Sequence, residues 1–224
     1  MKRLPEPEEL MDEPAQARAY AEADFSAPNT LFLDLFDAAR QAPFGGLALD
    51  LGCGPGDIPI AFAARHPRAE VEVLDGAEAM LAIARAKLAA AAPALAGRVR
   101  LRHATLPCPT LPEHRYDAVL SNSLLHHMAE PLDLWHTIAR CARPGAQILV
   151  MDLARPASDI GVDALVESYA LDAPEILRRD FRNSLYAAYT PGEVADQLAE
   201  AGLEALEVGM VSDRHLAVRG VLPG

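Results

Sequence analysis

The sequence predicts an α/β fold, a doubly wound and mostly parallel seven-stranded sheet with an antiparallel C-terminal hairpin strand. Three observations predict it. Short apolar runs alternate with helical patterns from about residue 45 to residue 153, the order that right-handed crossovers turn into a parallel sheet. A glycine-dense turn, Gly52-Cys53-Gly54-Pro55-Gly56, follows the first apolar run. Two alternating runs, 203–211 and 215–221, are joined by Ser212-Asp213-Arg214 and read as a terminal hairpin.

In order, residues 1 to about 14 are acidic, proline-rich and expected to be extended. Residues 15–23 read as a helix carrying Tyr20. Asp24 to Asn29 breaks the pattern, and Asn29 or Thr30 is expected to cap the next helix, where Leu31, Leu35, Phe36 and Ala39 recur at helical spacing. This leading segment, 1–44, is expected to be a helical lid over the glycine turn; packing or a homodimer contact is the alternative.

The first strand ends in Leu49-Asp50-Leu51, and Ile58-Pro59-Ile60 opens a helix that tolerates proline in its first turn. Glycine removes the Cβ atoms that would hold a ligand off the backbone, and a glycine turn feeding a helix N-terminus suits a nucleotide-like ligand. The spacing is G-x-G-x-G, not the G-x-G-x-x-G of dinucleotide sites. The second strand, 69–75, ends in Asp75, about 20 residues past the last glycine, where such sites place a ribose-binding acid. A helix to about Ala92 follows. The third strand is 98–102, before His103-Ala104-Thr105-Leu106; the fourth is 116–121, before Asn122 and Leu125-His126-His127-Met128. A helix over 131–141, a turn at Arg143-Pro144-Gly145 and a fifth strand over 147–152 complete the core. The glycine turn, Asp75, Thr105, Ser121-Asn122 and the two histidines all follow strand C-terminal ends, the edge on which such sheets bind ligands.

Residues 153–200 form a helical insert in the domain that begins at residue 45. It carries Tyr169, Arg178, Arg179, Arg182, Tyr186 and Tyr189, and Thr190-Pro191-Gly192-Glu193 reads as a capping box. Tyr169, Tyr186 and Tyr189 could wall an acceptor pocket, with core packing of at least two of them as the alternative; Tyr20 is a further substrate candidate, and Arg178 with Arg182 invites an anionic acceptor. An ion-paired helix face is the alternative, because Asp172, Glu175 and Asp180 stand alongside.

The chain has 224 residues, 51% of them hydrophobic, enough for one domain's core, and a formal net charge of -12, which argues against a nucleic-acid partner. No apolar run reaches the length of a membrane span, and the N-terminus lacks a signal-peptide apolar region. Three cysteines without metal-like spacing fit a reduced, cytoplasmic protein, and no metal-ligand set is seen in the spacing.

These residues resemble the class I S-adenosylmethionine-dependent methyltransferases, in the broad group that includes the quinone-biosynthesis C-methyltransferases. Residues 48–56 resemble the family's first motif, Val73-Leu74-Asp75 its second, and 104–106, 116–128 and Arg143-Pro144-Gly145 its later landmarks in order. The resemblance implies a Rossmann-like fold and methyl transfer from S-adenosylmethionine, with S-adenosylhomocysteine as product. It places Asp50, Gly52, Gly54 and Gly56 along the methionine part of the cofactor. Asp75 and Gly76 would lie at the ribose, Ala104, Thr105 and Leu106 along the adenine, and Ser121 and Asn122 at the amino end. Thr105 stands where the family often has an acid, and Gly76 where a polar residue is commoner.

A sulfonium methyl is already electrophilic, so such a site needs mainly to align the acceptor and exclude water. His126 and His127 are the candidates for general base if the acceptor carries a proton, with packing as their alternative. The expected function is methyl transfer to a small molecule. Other S-adenosylmethionine chemistry, tRNA modification and a non-catalytic binding module are the alternatives.

Overall fold

A computed structural model of the chain describes residues 1–7 and 10–223. Its sheet runs in the order β3-β2-β1-β4-β5-β7-β6. The strands are β1 (Gly45–Leu51), β2 (Arg68–Asp75), β3 (Val99–His103), β4 (Tyr116–Asn122), β5 (Ala142–Leu153), β6 (Glu207–Met210) and β7 (His215–Val221). Neighbours pair in parallel from β3 to β5, and β7 is antiparallel to both β5 and β6. The hairpin is therefore threaded inside out: the chain lays down the edge strand β6 and returns between it and β5. Gly52, at the end of β1, lies where the chain order reverses between β2 and β4, the switch point at which open α/β sheets bind ligands.

The alternation of side chains along each strand divides the core in two. Leu49, Leu51, Val119, Ile148 and Val150 meet Trp135 and Ile138 of α6 (Leu132–Cys141) and Val194 and Leu198 of α9 (Pro191–Glu200). Ala48, Val71, Val73, Leu120 and Leu149 meet Phe32 and Phe36 of α2 (Ser26–Ala38), Phe62 of α3 (Asp57–Arg65) and Leu81 of α4 (Glu78–Ala90). The central strands are covered on both faces, which is why they read as continuous apolar runs. A short α5 (Pro93–Ala96) precedes β3.

The leading segment differs in detail from the sequence reading. Helix α1 is Pro14–Glu22, and α2 starts at Ser26, so Asn29 and Thr30 lie inside it and cap nothing. Asp24 Oδ1 accepts the Ser26 amide at 2.9 Å instead, and Pro28 falls in the first turn, where its missing N–H loses no helical bond. Arg143-Pro144-Gly145 is not a free turn; it lies within β5, where the register against β4 shifts between Tyr116 and Ala118. Glu8 and Glu9 of the acidic leader lie outside the described residues.

The insert folds as α7 (Asp159–Ala170) and α8 (Glu175–Ala187), packed through Val162, Val166 and Leu185. The capping box forms as read: Thr190 Oγ1 accepts the Glu193 amide at 3.3 Å, and Glu193 Oε2 accepts the Thr190 amide at 2.8 Å. No helix among the described residues is long and apolar enough to cross a membrane.

Candidate active site

The glycine turn begins with two backbone bonds that seal it to the sheet, from the amides of Gly52 and Cys53 to the carbonyl of Leu74, at 2.8 and 3.1 Å. It then needs backbone torsions that L side chains rarely adopt. Gly54 has φ +53°, with open space where a Cβ would stand, so backbone faces the cavity directly. Gly56 has φ +85°, and a Cβ there would lie 3.0 Å from that of Ala84 on α4. Gly56→Ala is therefore expected to lower stability by about 1–2 kcal/mol, read as a shifted urea midpoint with an unchanged slope.

Around the turn lies a cavity of about 300 Å³. Its floor is Asp50, Gly52, Gly54, Asp75, Gly76, Ala104, Thr105, Leu106 and Asn122, and its roof is Leu10, Met11, Tyr20, Phe25 and Asn29 of the leading segment. Of the cofactor-site residues singled out from sequence, Gly56 and Ser121 do not line it. Gly56 is the αL residue that starts α3, and the Ser121 hydroxyl is spent on the Leu51 carbonyl at 2.8 Å. Leu10 and the Thr105 methyl lie 2.8 and 2.9 Å from where a Gly76 Cβ would be, so a larger residue there would displace the roof.

Two buried oxygens on this floor, Asp50 Oδ2 and Asn122 Oδ1, have no hydrogen-bond partner among the described residues. An unpaired buried carboxylate is costly. Burial, with the Asp75 charge adding to it, pushes the Asp50 carboxyl up to about 7. Two orphaned acceptors at a strand end call for a polyvalent, cationic donor, and the α-ammonium of an amino-acid moiety is such a group. Asp75 is better satisfied, its oxygens accepting the amides of Gly54 (2.7 Å) and Ala77 (2.8 Å). Each oxygen retains a lone pair for a ligand hydroxyl. Burial raises its carboxyl, and these two bonds offset part of that rise.

The two histidines occupy a 3₁₀ turn, Leu125–His127, after β4. Their rings stack with centroids 4.1 Å apart, yet they face different ways. His126 is 3% exposed and lies outside the cavity lining; its Nδ1 is 2.5 Å from Asp152 Oδ1 at the end of β5. Burial disfavours its cation, but the Asp152 and Glu6 carboxylates outweigh burial and raise its pKa. His127 lines the cavity, and its Nδ1 stands 2.8 Å from Glu6 Oε2. Sequence spacing gave no hint of Glu6, which comes from the opposite end of the chain, or of Asp152, which reads as an ordinary strand-end acid.

Tyr20 lines the cavity, and burial, with Asp152, Asp57 and Asp75 nearby, pushes its phenol up to about 12. Tyr169, Arg178, Arg182 and Tyr186 do not line it. The Tyr169 hydroxyl bonds Asp213 under the Arg214 guanidinium, Arg182 pairs with Asp163 at 2.5 Å, Arg178 with Glu175 at 3.4 Å, and the Tyr186 hydroxyl donates to Asp159 at 3.1 Å. The lining carries Asp57, Glu130 and Asp133 and no lysine or arginine.

Known proteins share this architecture. A family described as a methyltransferase domain matches residues 48–145. The chain is similar to a ubiquinone biosynthesis O-methyltransferase of Dinoroseobacter shibae, 31% identical over 197 residues, covering 83% of this chain and 75% of that protein. It is similar to a demethylmenaquinone methyltransferase of Bacillus cytotoxicus, 28% identical over 191 residues and covering 78% of each. Among solved structures, a SAM-dependent methyltransferase from Aquifex aeolicus superposes with a TM-score of 0.67 at 19% identity, over 94% of this chain and 98% of that one. A Haemonchus contortus phosphoethanolamine N-methyltransferase 2, in complex with S-adenosylhomocysteine, does so with 0.72 at 15%, over 94% and 58%.

Proposed function

The chain belongs to the S-adenosylmethionine-dependent methyltransferases, and from that premise we propose that it methylates a neutral or cationic small molecule in the cavity beneath its leading segment. S-adenosylmethionine, when bound, supplies a methyl group activated by the sulfonium. Asp50 and Asn122 hold its amino-acid end, the orphaned oxygens receiving the ammonium hydrogens. Asp75 would hold the ribose hydroxyls, the glycine backbone would face the part between them, and Ala104 to Leu106 would line the adenine. Residues 1–44 act as the lid. His127, at the cavity wall, takes the acceptor's proton where there is one to take; buried His126 supports it.

The observation that carries the acceptor class is the roof. Leu10, Met11, Tyr20 and Phe25 line the cavity from the leading segment, an apolar wall that suits a compact guest. The acidic, lysine-free lining disfavours an anionic acceptor, and the arginines of α8 lie elsewhere. The three free, buried cysteines support a cytoplasmic setting.

The test is product formation. Purified protein with S-adenosylmethionine is offered phenols, hydroquinones, aryl amines, benzoates and bulk tRNA, and S-adenosylhomocysteine is quantified. Turnover with a neutral or amine acceptor is expected; methyl incorporation into tRNA alone, or into benzoates alone, overturns the reading. Asp75→Ala is expected to weaken calorimetric binding of S-adenosylhomocysteine by roughly tenfold or more, the worth of hydrogen bonds to a charged group.

A further inference from the structure

Residues 1–7 carry no helix or strand, yet four of them, Met1, Arg3, Leu4 and Glu6, are held by hydrogen bonds or charge pairs. The Leu4 amide donates to the Tyr186 carbonyl at 3.0 Å. The Arg3 guanidinium donates to the carbonyls of Ala187 (2.6 Å), His126 (3.1 Å) and Met128 (3.0 Å) and lies 4.1 Å over the Tyr189 ring. Arg155 donates to the Met1 carbonyl at 3.2 Å. This strap threads between the insert and the histidine turn and ends by delivering one carboxylate, Glu6, whose side chain is only 10% exposed. The Ser184 hydroxyl of α8 donates to Glu6 Oε1 at 2.5 Å, and His126 Nε2 is 3.9 Å from the same oxygen.

Resting on the methyl-transfer reading above, we propose that Glu6 is a positioning residue, which holds the His127 ring with Nδ1–H toward the strap and leaves Nε2 as the proton-accepting nitrogen for the cavity. The arrangement has the logic of a carboxylate–imidazole pair, in which the acid fixes tautomer and orientation and stabilises the imidazolium that forms. The Nδ1–Oε2 separation is of hydrogen-bond length, but the two groups are not aligned as a hydrogen bond. Such pairs tighten when substrate fills the site. The step balances. With S-adenosylmethionine bound, the new acceptor–methyl bond would be matched by cleavage of the sulfur–methyl bond, which would leave a neutral thioether. The acceptor's proton moves to His127 Nε2, and the new positive charge faces the Glu6 carboxylate. The other groups facing this pair are His126 with Asp152 behind it, Ser184 from α8, and Arg3 from the strap. Burial raises the Glu6 carboxyl, and the two histidines and Ser184 more than reverse that, so it stands ionised at neutral pH. The insert thereby gains a role different from the one its tyrosines and arginines suggested: it is the clamp that seats the strap.

The test reads the tautomer. Nitrogen-edited histidine ring spectra of the full chain at about pH 8 are expected to show His127 as the Nδ1–H form, and Glu6→Gln to move it largely to Nε2–H. Glu6→Asp is expected to restore most of the Nδ1–H form. Glu6 sits outside the sheet's core, so these variants are expected to fold, and their calorimetric affinity for S-adenosylhomocysteine to stay within about twofold. A wild-type protein already in the Nε2–H form, or a tautomer indifferent to Glu6→Gln, overturns the assignment. So does a ring spectrum that shifts stoichiometrically with Zn²⁺ and reverts with EDTA, since one donor atom each from Glu6, His126 and His127 lie within 4.8 Å of one another and a cation could bridge them. Failure of the methyltransferase reading itself would look different: no S-adenosylhomocysteine binding by the wild type, with the tautomer still readable.

Discussion

Asp50→Asn is expected to make the protein more stable and a poorer binder at once. In the folded chain the Asp50 carboxyl is pushed up to about 7, whereas an unfolded chain leaves it near its ordinary value. A raised acid means that the folded state holds the extra proton. Stability therefore falls as pH rises from about 4 to about 7, and above that window the ionised form carries a penalty on the order of a few kcal/mol. Asparagine has the same shape and no charge to desolvate. Its melting temperature should exceed that of the wild type at about pH 8, with the gap much narrower by about pH 5 and closing near pH 4. Cofactor binding should move the other way. Removing one partner of a buried charged pair costs about 2 kcal/mol or more, a loss of at least roughly thirtyfold in affinity for S-adenosylhomocysteine. In the wild type the same affinity should decline below about pH 7, because the carboxylate must ionise to receive an ammonium. Calorimetry at several pH values with differential scanning of both proteins measures all of this. A variant that binds normally would show that the ammonium sits elsewhere; one that binds weakly and melts lower would show that Asp50 has a partner within the fold. Destabilisation stored in an empty-handed carboxylate is the pattern expected where a site has been shaped for its ligand and not for the fold.

What could be read from the chain in advance follows the range of the interactions. The strands, the glycine turn and Asp75 are local signals: residues within a few positions of one another set torsions, capping and burial, and crossover handedness favours the parallel pairing of the strands. The cavity floor was legible for the same reason, because every strand in such a sheet presents its C-terminal end to the same edge. The roof was not. Leu10 and Met11 look like any residues of an acidic leader, and only folding brings them over Gly76 and Met80. The insert misled because tyrosine and arginine are as apt for surface ion pairs as for a pocket, and periodicity does not say which face a helix turns to the site. Helix α8 turns its arginines to Asp163, Glu175 and Asp180 and its carbonyls to the strap. The histidine pair marks the limit most sharply. Adjacent residues in one turn were equivalent by sequence. They are set apart by two acids beside them, one at the end of β5 and one near residue 1, that no local pattern ties to them.

That separation makes Asp152 the residue whose loss should cost the fold most. Asp152→Ala leaves the His126 ring buried without its carboxylate and strips the acceptor from two backbone amides, those of His126 (3.3 Å) and Leu153 (2.6 Å). Breaking a buried pair from one side costs about 3–5 kcal/mol, a large share of a typical domain's stability. The pH dependence separates this from a simple packing defect. His126 has a raised pKa in the folded chain. The pair's contribution is therefore fully present below the unfolded histidine value, about 6.5, and is lost as pH rises through the folded value. In the variant only the Glu6 carboxylate, 3.9 Å from Nε2, still opposes burial, so the ring's preference for its cation weakens and this pH-dependent contribution shrinks. The gap between the two proteins should be widest below the unfolded histidine value and narrow as pH rises through the folded value. The chain's one tryptophan, Trp135, is fully buried in α6 and reports urea unfolding directly. A gap independent of pH would mean that Asp152 acts through its backbone acceptors alone, and that His126 is held neutral beside it.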